Sequence, residues 1–158
     1  EEISEEQLLE YIYRVKRELP DITVGYVDAY YQFHKRPELI NACDAILANC
    51  YPFWEGYSVE QATVFLSAMY DVTKKIAKGK PVIITETGWP SGGESTNKAV
   101  PSAKNSIRYF VNTQSWAKSE GVDLFYFSSF DESWKVQEEG LVGAQWGLWD
   151  KNEKLKHQ

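Results

Sequence analysis

The chain has 158 residues, a length at which one compact domain with a sizeable core is expected over 1–158. Its 17 basic and 23 acidic residues give a net charge of -6, which argues against nucleic acid as a partner. No apolar run reaches the ~20 residues needed to cross a bilayer, so the sequence predicts no membrane span. The acidic start "EEISEEQ" does not resemble a secretory signal. We therefore expect either a cytoplasmic protein or one whose leader lies outside this chain.

The first part of the sequence predicts two helices and two strands. Ser4 and Gln7 have the spacing of a capping box, and the apolar positions over 8–19 recur at helical intervals until Pro20. The β-branched and aromatic run over about 23–29 predicts a strand. A short helix is expected over "PELINAC" and a buried strand over "DAILANCYPF".

The second part repeats the same order. An apolar stripe over 65–76 predicts a helix that Gly79 terminates, and 82–85 predicts a buried strand. A helix over 101–120 is expected to stop at Gly121, and "VDLFYFSSF" predicts the last strand. The chain therefore reads as helix then strand, four times.

This alternation predicts a parallel sheet with helices packed outside it. Two α/β architectures fit: an open doubly wound sheet and a (β/α)8 TIM barrel. The open sheet normally carries a phosphate-binding glycine fingerprint, and neither GxGxxG nor GxxxxGK[ST] occurs here. A full barrel takes about 250 residues, so the four units expected here amount to half of one.

Each predicted strand ends in polar side chains, and in parallel α/β folds the chemistry collects at that edge. For an isolated residue such as Asp28, a helix cap or a salt bridge is the favoured interpretation. The strand-end groups are Asp28 with Tyr30 and Tyr31, Asn49 with Tyr51, Glu86, and Asp131 with Glu132.

For Glu86, in the stretch "PVIITETGWPSGG", a functional role is the favoured interpretation. This carboxylate follows a strand-like run, where a charge is costly unless it is paired, and glutamate is a poor strand residue. Gly88 is expected to let the backbone turn sharply, and Trp89 to offer a stacking face. A carboxylate beside an indole suits work on a sugar ring, and it needs neither metal nor thiol.

The stretch "FDESWKVQEEG" forms a second candidate group. Glu132 and Lys135 are three residues apart with Trp134 between them, so a carboxylate, an ammonium and an indole share one loop. A surface ion pair is the alternative, and the position after a strand favours function. Cys43 and Cys50 lack the clustering of a zinc site and are expected to be buried thiols.

The stretch around Glu86 resembles the signature of glycoside hydrolase family 17, which comprises β-1,3-glucanases and related glucanosyltransferases. The likeness continues through "YPFWEG", "LFYFSSFDESWK" and "VGAQWGLWDKNEKLK" and covers essentially the whole chain. It implies a TIM barrel, a β-1,3-glucan substrate, no cofactor and no metal. Members of this family are often secreted or associated with the cell wall.

The resemblance also implies roles for individual residues. Glu86 would be the nucleophile of a retaining mechanism, with Tyr51 beside it and with Glu132 and Lys135 completing the catalytic floor. Trp89 and Trp134 would form walls of the sugar subsites. The strand-end residues Asp28, Tyr30 and Asn49 are the further candidates for substrate binding.

The chain departs from the family pattern at the general acid. The family carries this glutamate in an "NE" pair after the fourth strand, and here the only such pair is Asn152-Glu153, in the closing segment. The resemblance therefore implies a carboxyl-terminal half-barrel whose proton donor lies outside the chain, with weak activity alone. A lysine three residues on would keep Glu132 ionised, which is the wrong state for a substitute acid. Open sheet edges also predict self-association, or pairing with an amino-terminal half.

Three alternatives remain at this point. The chain is a non-catalytic carbohydrate-binding half-barrel, or a glucanosyltransferase, or a nucleotide-binding α/β domain with a chance match to the motif. The missing glycine fingerprint counts against the last of these.

Overall fold

The structure, a computed structural model, describes residues 3–157. Strands and helices alternate along the chain as predicted. The strands are β1 (Gly25–Ala29), β2 (Ala45–Asn49), β3 (Val82–Thr87) and β4 (Leu124–Tyr126). The helices are α1 (Glu5–Glu18), α2 (Pro37–Ala42), α3 (Val59–Ile76), α4 (Ala103–Glu120) and the single turn α5 (Val136–Glu139). Short 3₁₀ turns cover Tyr30–Lys35, Ser133–Lys135 and Leu141–Ala144.

The four strands form one parallel sheet in the order β1-β2-β3-β4. β1 and β2 pair in register from Gly25 opposite Ala45 to Ala29 opposite Asn49. A doubly wound sheet reverses its strand order at a switch point, whereas a barrel adds each strand beside the previous one. The sequential order is therefore that of a (β/α)8 barrel.

The helix boundaries follow from local chemistry. The side chain of Ser4 accepts from the backbone of Gln7, and the side chain of Gln7 accepts in return from the backbone of Ser4, so the predicted capping box is present. At the end of α4, Gly121 has a φ of 64°, a left-handed conformation that glycine adopts without strain.

The described residues fall into two compact units, and the residues of α3 and of β3 are divided between them. The first comprises 3–50 and 68–85, and the second comprises 51–67 and 86–157. Each unit has its own buried residues. The large ones in the first are Phe33, Leu39, Ile46 and Ile84, and those in the second are Phe53, Leu66, Trp89, Tyr109, Val142 and Trp146.

The last strand is much shorter than the sequence predicts. β4 covers Leu124–Tyr126, whereas a run of nine residues is strand-like. The residues after it form hydrogen bonds with the closing segment instead: the amide of Ser128 donates to Trp146 and that of Asp131 to Trp149. Because each backbone group needs one partner, this pairing ends the strand early.

Candidate active site

Glu86 lies inside β3, one residue before its end. The sequence predicts that the strand stops at Thr85, but regular pairing continues through Thr87. Thr87 is buried, and its hydroxyl lies 2.6 Å from the hydroxyl of Tyr109 in α4. Successive strand residues point to opposite faces, so Glu86 projects from the face opposite to that helix.

A single hydrogen bond holds the Glu86 carboxylate. The hydroxyl of Tyr51 donates to Glu86 Oε2 over 2.9 Å. Burial raises the pKa of Tyr51, and the neighbouring charge of Glu86 and the hydrogen bond to it raise the pKa further. The phenol therefore keeps its proton and acts as the donor. Among residues 3–157, no other hydrogen bond reaches this carboxylate, so Oε1 is not engaged by the protein.

Aromatic rings pack against Tyr51, the partner of Glu86. The ring of Tyr51 meets Trp146 edge-on at 5.4 Å and Phe127 at 6.3 Å. Trp146 in turn packs on Phe53 and Trp54, each with ring centroids 5.5 Å away. The sequence analysis does not identify Phe127 and Trp146 as neighbours of the candidate nucleophile. The aromatic density of "YPFW" and "QWGLW" was the available signal.

Glu132 and Lys135 form the predicted ion pair, with 2.7 Å between Glu132 Oε2 and Lys135 Nζ. The ammonium also lies 4.0 Å from the ring centroid of Phe127 and 5.2 Å from that of Trp134. Only 12% of the Lys135 side chain is exposed, so the aromatic rings replace part of its hydration. Phe127 thus contacts both Tyr51 and Lys135. Two of the predicted groups meet at this ring.

The two predicted tryptophan walls differ in exposure. Trp134 is 62% exposed, and its role as a wall of a sugar subsite stays a prediction. Trp89 is fully buried: its ring packs between Phe53 and Tyr109, and its Nε1 donates to the carbonyl oxygen of Val100. The expectation that Trp89 forms a sugar platform is therefore wrong for this structure, because none of its surface is exposed.

Gly88 is needed for space rather than for a turn. A Cβ at this position would lie 2.0 Å from the carbonyl oxygen of Phe127 and 3.3 Å from the ring of Trp146. Its φ is not among the left-handed values that glycines 93 and 121 adopt. The absence of a side chain lets the end of β3 approach the backbone of Phe127, whose amide donates to the carbonyl oxygen of Thr87.

A second ion pair fixes the loop after β4. Lys156 Nζ lies 2.7 Å from Asp131 Oδ1, and it also donates to Ser91 Oγ and to the carbonyl oxygen of Gln145. The side chains of Lys156 and Asp131 are only 14% and 9% exposed. The amide of Gly147 donates to the same carboxylate oxygen. Asp131 is therefore structural, although it is adjacent to Glu132.

Asp28 lies in the first unit, and its oxygens are occupied. Oδ1 accepts from the amide of Ala29 at 2.8 Å, and Oδ2 accepts from the hydroxyl of Tyr26 at 3.2 Å. The guanidinium of Arg36 completes the set at 3.4 Å from Oδ2. The salt-bridge interpretation of this strand-end carboxylate is therefore the one that its contacts fit.

The other candidates in the first unit are also engaged. Asn49 Oδ1 accepts from the hydroxyl of Thr85 at 2.8 Å. The ring of Tyr30 meets that of Tyr31 edge-on at 5.5 Å. A substrate-binding role for Asp28, Tyr30 and Asn49 stays a prediction.

No group of three or more histidine, cysteine, aspartate or glutamate side chains within residues 3–157 is arranged to hold a metal ion. Cys43 and Cys50 are buried thiols that form no disulfide, as predicted. Across the same residues, every helix is too short or too polar to span a bilayer.

Residues 1–147 match the family model of the BtgE/BtgC glycoside hydrolase domain. A glucan 1,3-beta-glucosidase of Arthroderma benhamiae is 33% identical over 167 aligned positions, which cover 95% of this chain and 54% of that protein. A probable beta-glucosidase btgE of Neosartorya fischeri is 36% identical over 113 positions, covering 71% and 20%. The chain therefore spans about half the length of the first of these relatives and less of the second.

The glycoside hydrolase family 17 beta-1,3-glucanosyltransferase of Rhizomucor miehei has a similar structure. The TM-score is 0.89 at 32% identity, over 97% of this chain and 56% of that one. An active-site mutant of the same enzyme, in complex with laminaritriose, gives a TM-score of 0.88 over the same shares. This similarity confirms the (β/α)8-barrel fold class. The chain belongs to the BtgE/BtgC glycoside hydrolases, within glycoside hydrolase family 17.

Proposed function

We propose that this chain carries the nucleophile half of a retaining glycoside hydrolase site for β-1,3-glucan, with Glu86 as the nucleophile. The observation that carries the proposal is the Tyr51–Glu86 hydrogen bond of 2.9 Å, with the ring of Tyr51 packed against Trp146 and Phe127. Relatives named glucan 1,3-beta-glucosidase and glucan endo-1,3-beta-glucosidase support the substrate class.

In the first step, an oxygen of Glu86 attacks the anomeric carbon and the glycosidic C–O bond breaks. The leaving oxygen takes a proton from a second carboxyl group, roughly 5 to 5.5 Å from the nucleophile in retaining enzymes. In the second step, that carboxylate takes a proton from water, whose oxygen attacks the same carbon and releases Glu86. Tyr51 orients the carboxylate through one oxygen and leaves the other to react.

We assign the general acid to a residue outside these 158. The Glu132 carboxylate is paired with Lys135 at 2.7 Å, so its position is set by that ammonium rather than by a leaving oxygen. This chain covers 54% of the Arthroderma benhamiae protein and 56% of the Rhizomucor miehei enzyme, which leaves room for the acid in the remainder of their fold. General acid catalysis typically contributes 10²–10⁴-fold, so we expect the isolated chain to hydrolyse laminarin poorly.

Transfer of the glucosyl unit to a sugar hydroxyl is the second candidate. It uses the same covalent intermediate, with an acceptor hydroxyl in place of water. The similarity to the Rhizomucor miehei glucanosyltransferase favours it. Adding laminaritriose as acceptor and analysing the product lengths distinguishes transfer from hydrolysis.

The test uses a substrate that needs no acid. Dinitrophenolate departs from an aryl β-glucoside without protonation, so the nucleophile alone should release it. We expect the wild-type chain to liberate dinitrophenolate in a burst and Glu86→Gln to give none. Release that survives Glu86→Gln would refute the role of this carboxylate, and a carbohydrate-binding chain without catalysis would release none in either form.

A further inference from the structure

A cavity of about 410 Å³, lined mostly by residues with polar side chains, lies between the loop after β4 and the closing segment of the chain. All of its lining residues belong to the second unit. Pockets for small ligands typically measure 300–1,000 Å³, so the cavity has room for a small ligand. The polar side chains that line it are those of Asp131, Ser133, Gln145, Asp150, Lys151, Asn152 and Lys156.

The charges around the cavity cancel. Two carboxylates, Asp131 and Asp150, oppose two ammonium groups, Lys151 and Lys156. Such a balance favours neither a phosphate nor a cation, and residues 3–157 contain no cluster of three or more histidine, cysteine, aspartate or glutamate side chains arranged for a metal. A neutral ligand with many hydroxyls fits this mixture, because hydroxyl groups both donate and accept.

Part of the wall is rigid. Lys156 and Asp131 are locked to each other and to the backbone, as described above. Asp150 Oδ1 accepts from the amides of Asn152 at 2.8 Å and of Lys154 at 3.0 Å, which fixes the tight turn on the opposite side. These parts of the wall are in place before any ligand binds, so the cost of ordering falls on the remaining side chains.

Other polar side chains of the wall are available to hydrogen-bond a ligand. Within the described residues, the side chains of Ser133, Lys151 and Asn152 make no hydrogen bond, and all three residues are exposed. They provide a hydroxyl, an ammonium and an amide for a ligand. Ser133 also begins the Ser133–Lys135 turn, directly after Glu132 and before the exposed Trp134. The cavity thus borders the loop of the proposed active site.

We propose that this cavity binds one glucosyl unit of a β-1,3-glucan, as a subsite separate from the Glu86 carboxylate. Asn152, Lys151 and Ser133 would contact the sugar hydroxyls, while the Lys156–Asp131 pair holds the wall in place. The inference rests on the proposed function for the identity of the sugar. It adds a subsite made largely by the closing segment of the chain.

The test measures laminaritriose binding by isothermal titration calorimetry in the Glu86→Gln background, where turnover cannot interfere. We expect Asn152→Ala combined with Lys151→Ala to weaken binding at least about fivefold, since each lost hydrogen bond is worth roughly 0.5–1.5 kcal/mol. Ser133→Trp should weaken it similarly by filling the cavity. Lys154→Ala is the matched control, because this exposed lysine lies in the same turn but does not line the cavity.

Each outcome decides the matter. Weakening by both cavity variants with an unchanged control supports the subsite. Equal affinity in all variants, or no binding to the Glu86→Gln chain, overturns it. A strong loss of affinity on adding salt would also overturn it, because a neutral sugar should bind nearly independently of ionic strength. The proposed function fails on a separate result, dinitrophenolate release that persists in Glu86→Gln, so the two failures are distinguishable.

Discussion

Asp28 and Glu86 are both carboxylates near the end of a parallel strand, and their surroundings differ sharply. Asp28 accepts from a backbone amide and a phenol and pairs with the guanidinium of Arg36. Glu86 accepts one hydrogen bond, from Tyr51, and no cation pairs with it among residues 3–157.

The difference teaches that position at a strand end does not make a carboxylate reactive. A carboxylate whose two oxygens accept from three donors, one of them a guanidinium, has its charge stabilised by those donors, which makes it a weaker nucleophile. A carboxylate with a single neutral donor keeps an oxygen free for chemistry. The number and charge of the partners therefore separate the two roles.

The largest expected effect comes from neutralising each carboxylate in turn. Glu86→Gln should lower dinitrophenyl β-glucoside turnover by on the order of 10³-fold or more, because an amide cannot act as the nucleophile. Asp28→Asn should leave turnover within about threefold once the folded fraction is accounted for, since its oxygens serve packing. Similar losses in both variants would break the comparison.

Gly88→Ala tests how the end of β3 is held. The added Cβ would lie 2.0 Å from the carbonyl oxygen of Phe127, so the strand or the loop must move. We expect a loss of about 1–3 kcal/mol in the free energy of unfolding, measured by urea denaturation. Gly92→Ala is the control, because its nearest contacts are at 3.5 Å. Equal stability of the two variants would count against a tight approach at Gly88.

The protonation of Tyr51 predicts a pH effect. Its pKa is raised in the folded chain by burial and by Glu86, so the unfolded chain loses this proton first, above about pH 10. The stability that this residue contributes is complete below that pH and falls above it, by about 1.4 kcal/mol per pH unit. Denaturation series on wild type and Tyr51→Phe should show a shallower decline for the variant. Parallel declines would mean that the phenol ionises as easily in the folded chain.

Arg36→Met tests the Asp28 side of the comparison by removing its cation, and it has the smallest expected effect. The pair with Asp28 is partly exposed, and its loss should cost up to about 1 kcal/mol of stability. Aryl glucoside turnover per folded molecule should not change. A large fall in turnover would indicate that the Asp28 region takes part in the reaction.

Much of the fold follows from local patterns in the sequence. Residues close together in the sequence predict the capping box of Ser4 and Gln7 and the end of α4 at Gly121. They also predict the alternation of helices and strands. The end of β4 is not, because the hydrogen bonds that end it come from residues around Trp146 and Trp149. The nine-residue strand-like run does not indicate that a distant segment forms hydrogen bonds with its backbone amides.

The site divides in the same way. Glu86 and the Glu132–Lys135 pair carry local signals, and Glu132 lies 2.7 Å from Lys135, as their spacing suggested. Tyr51, the hydrogen-bond partner of Glu86, was suggested by the family resemblance and not by a local signal. The sequence could not separate buried Trp89 from exposed Trp134, because both are tryptophans in strand-end loops. The sequence also assigned Gly88 to a turn, whereas the structure requires glycine there because the backbone of Phe127 leaves no room for a Cβ. Packing between distant segments decides these cases.

The most direct test of the central claim is covalent trapping. An activated 2-deoxy-2-fluoro-β-glucoside slows the second step, so the glycosyl-enzyme should accumulate on the chain and be visible by mass spectrometry after peptic digestion. We predict one glucosyl label, on the peptide that contains Glu86, and none in Glu86→Gln. A label on another carboxylate, or the same label in the Glu86→Gln chain, would contradict the assignment of this residue as the nucleophile.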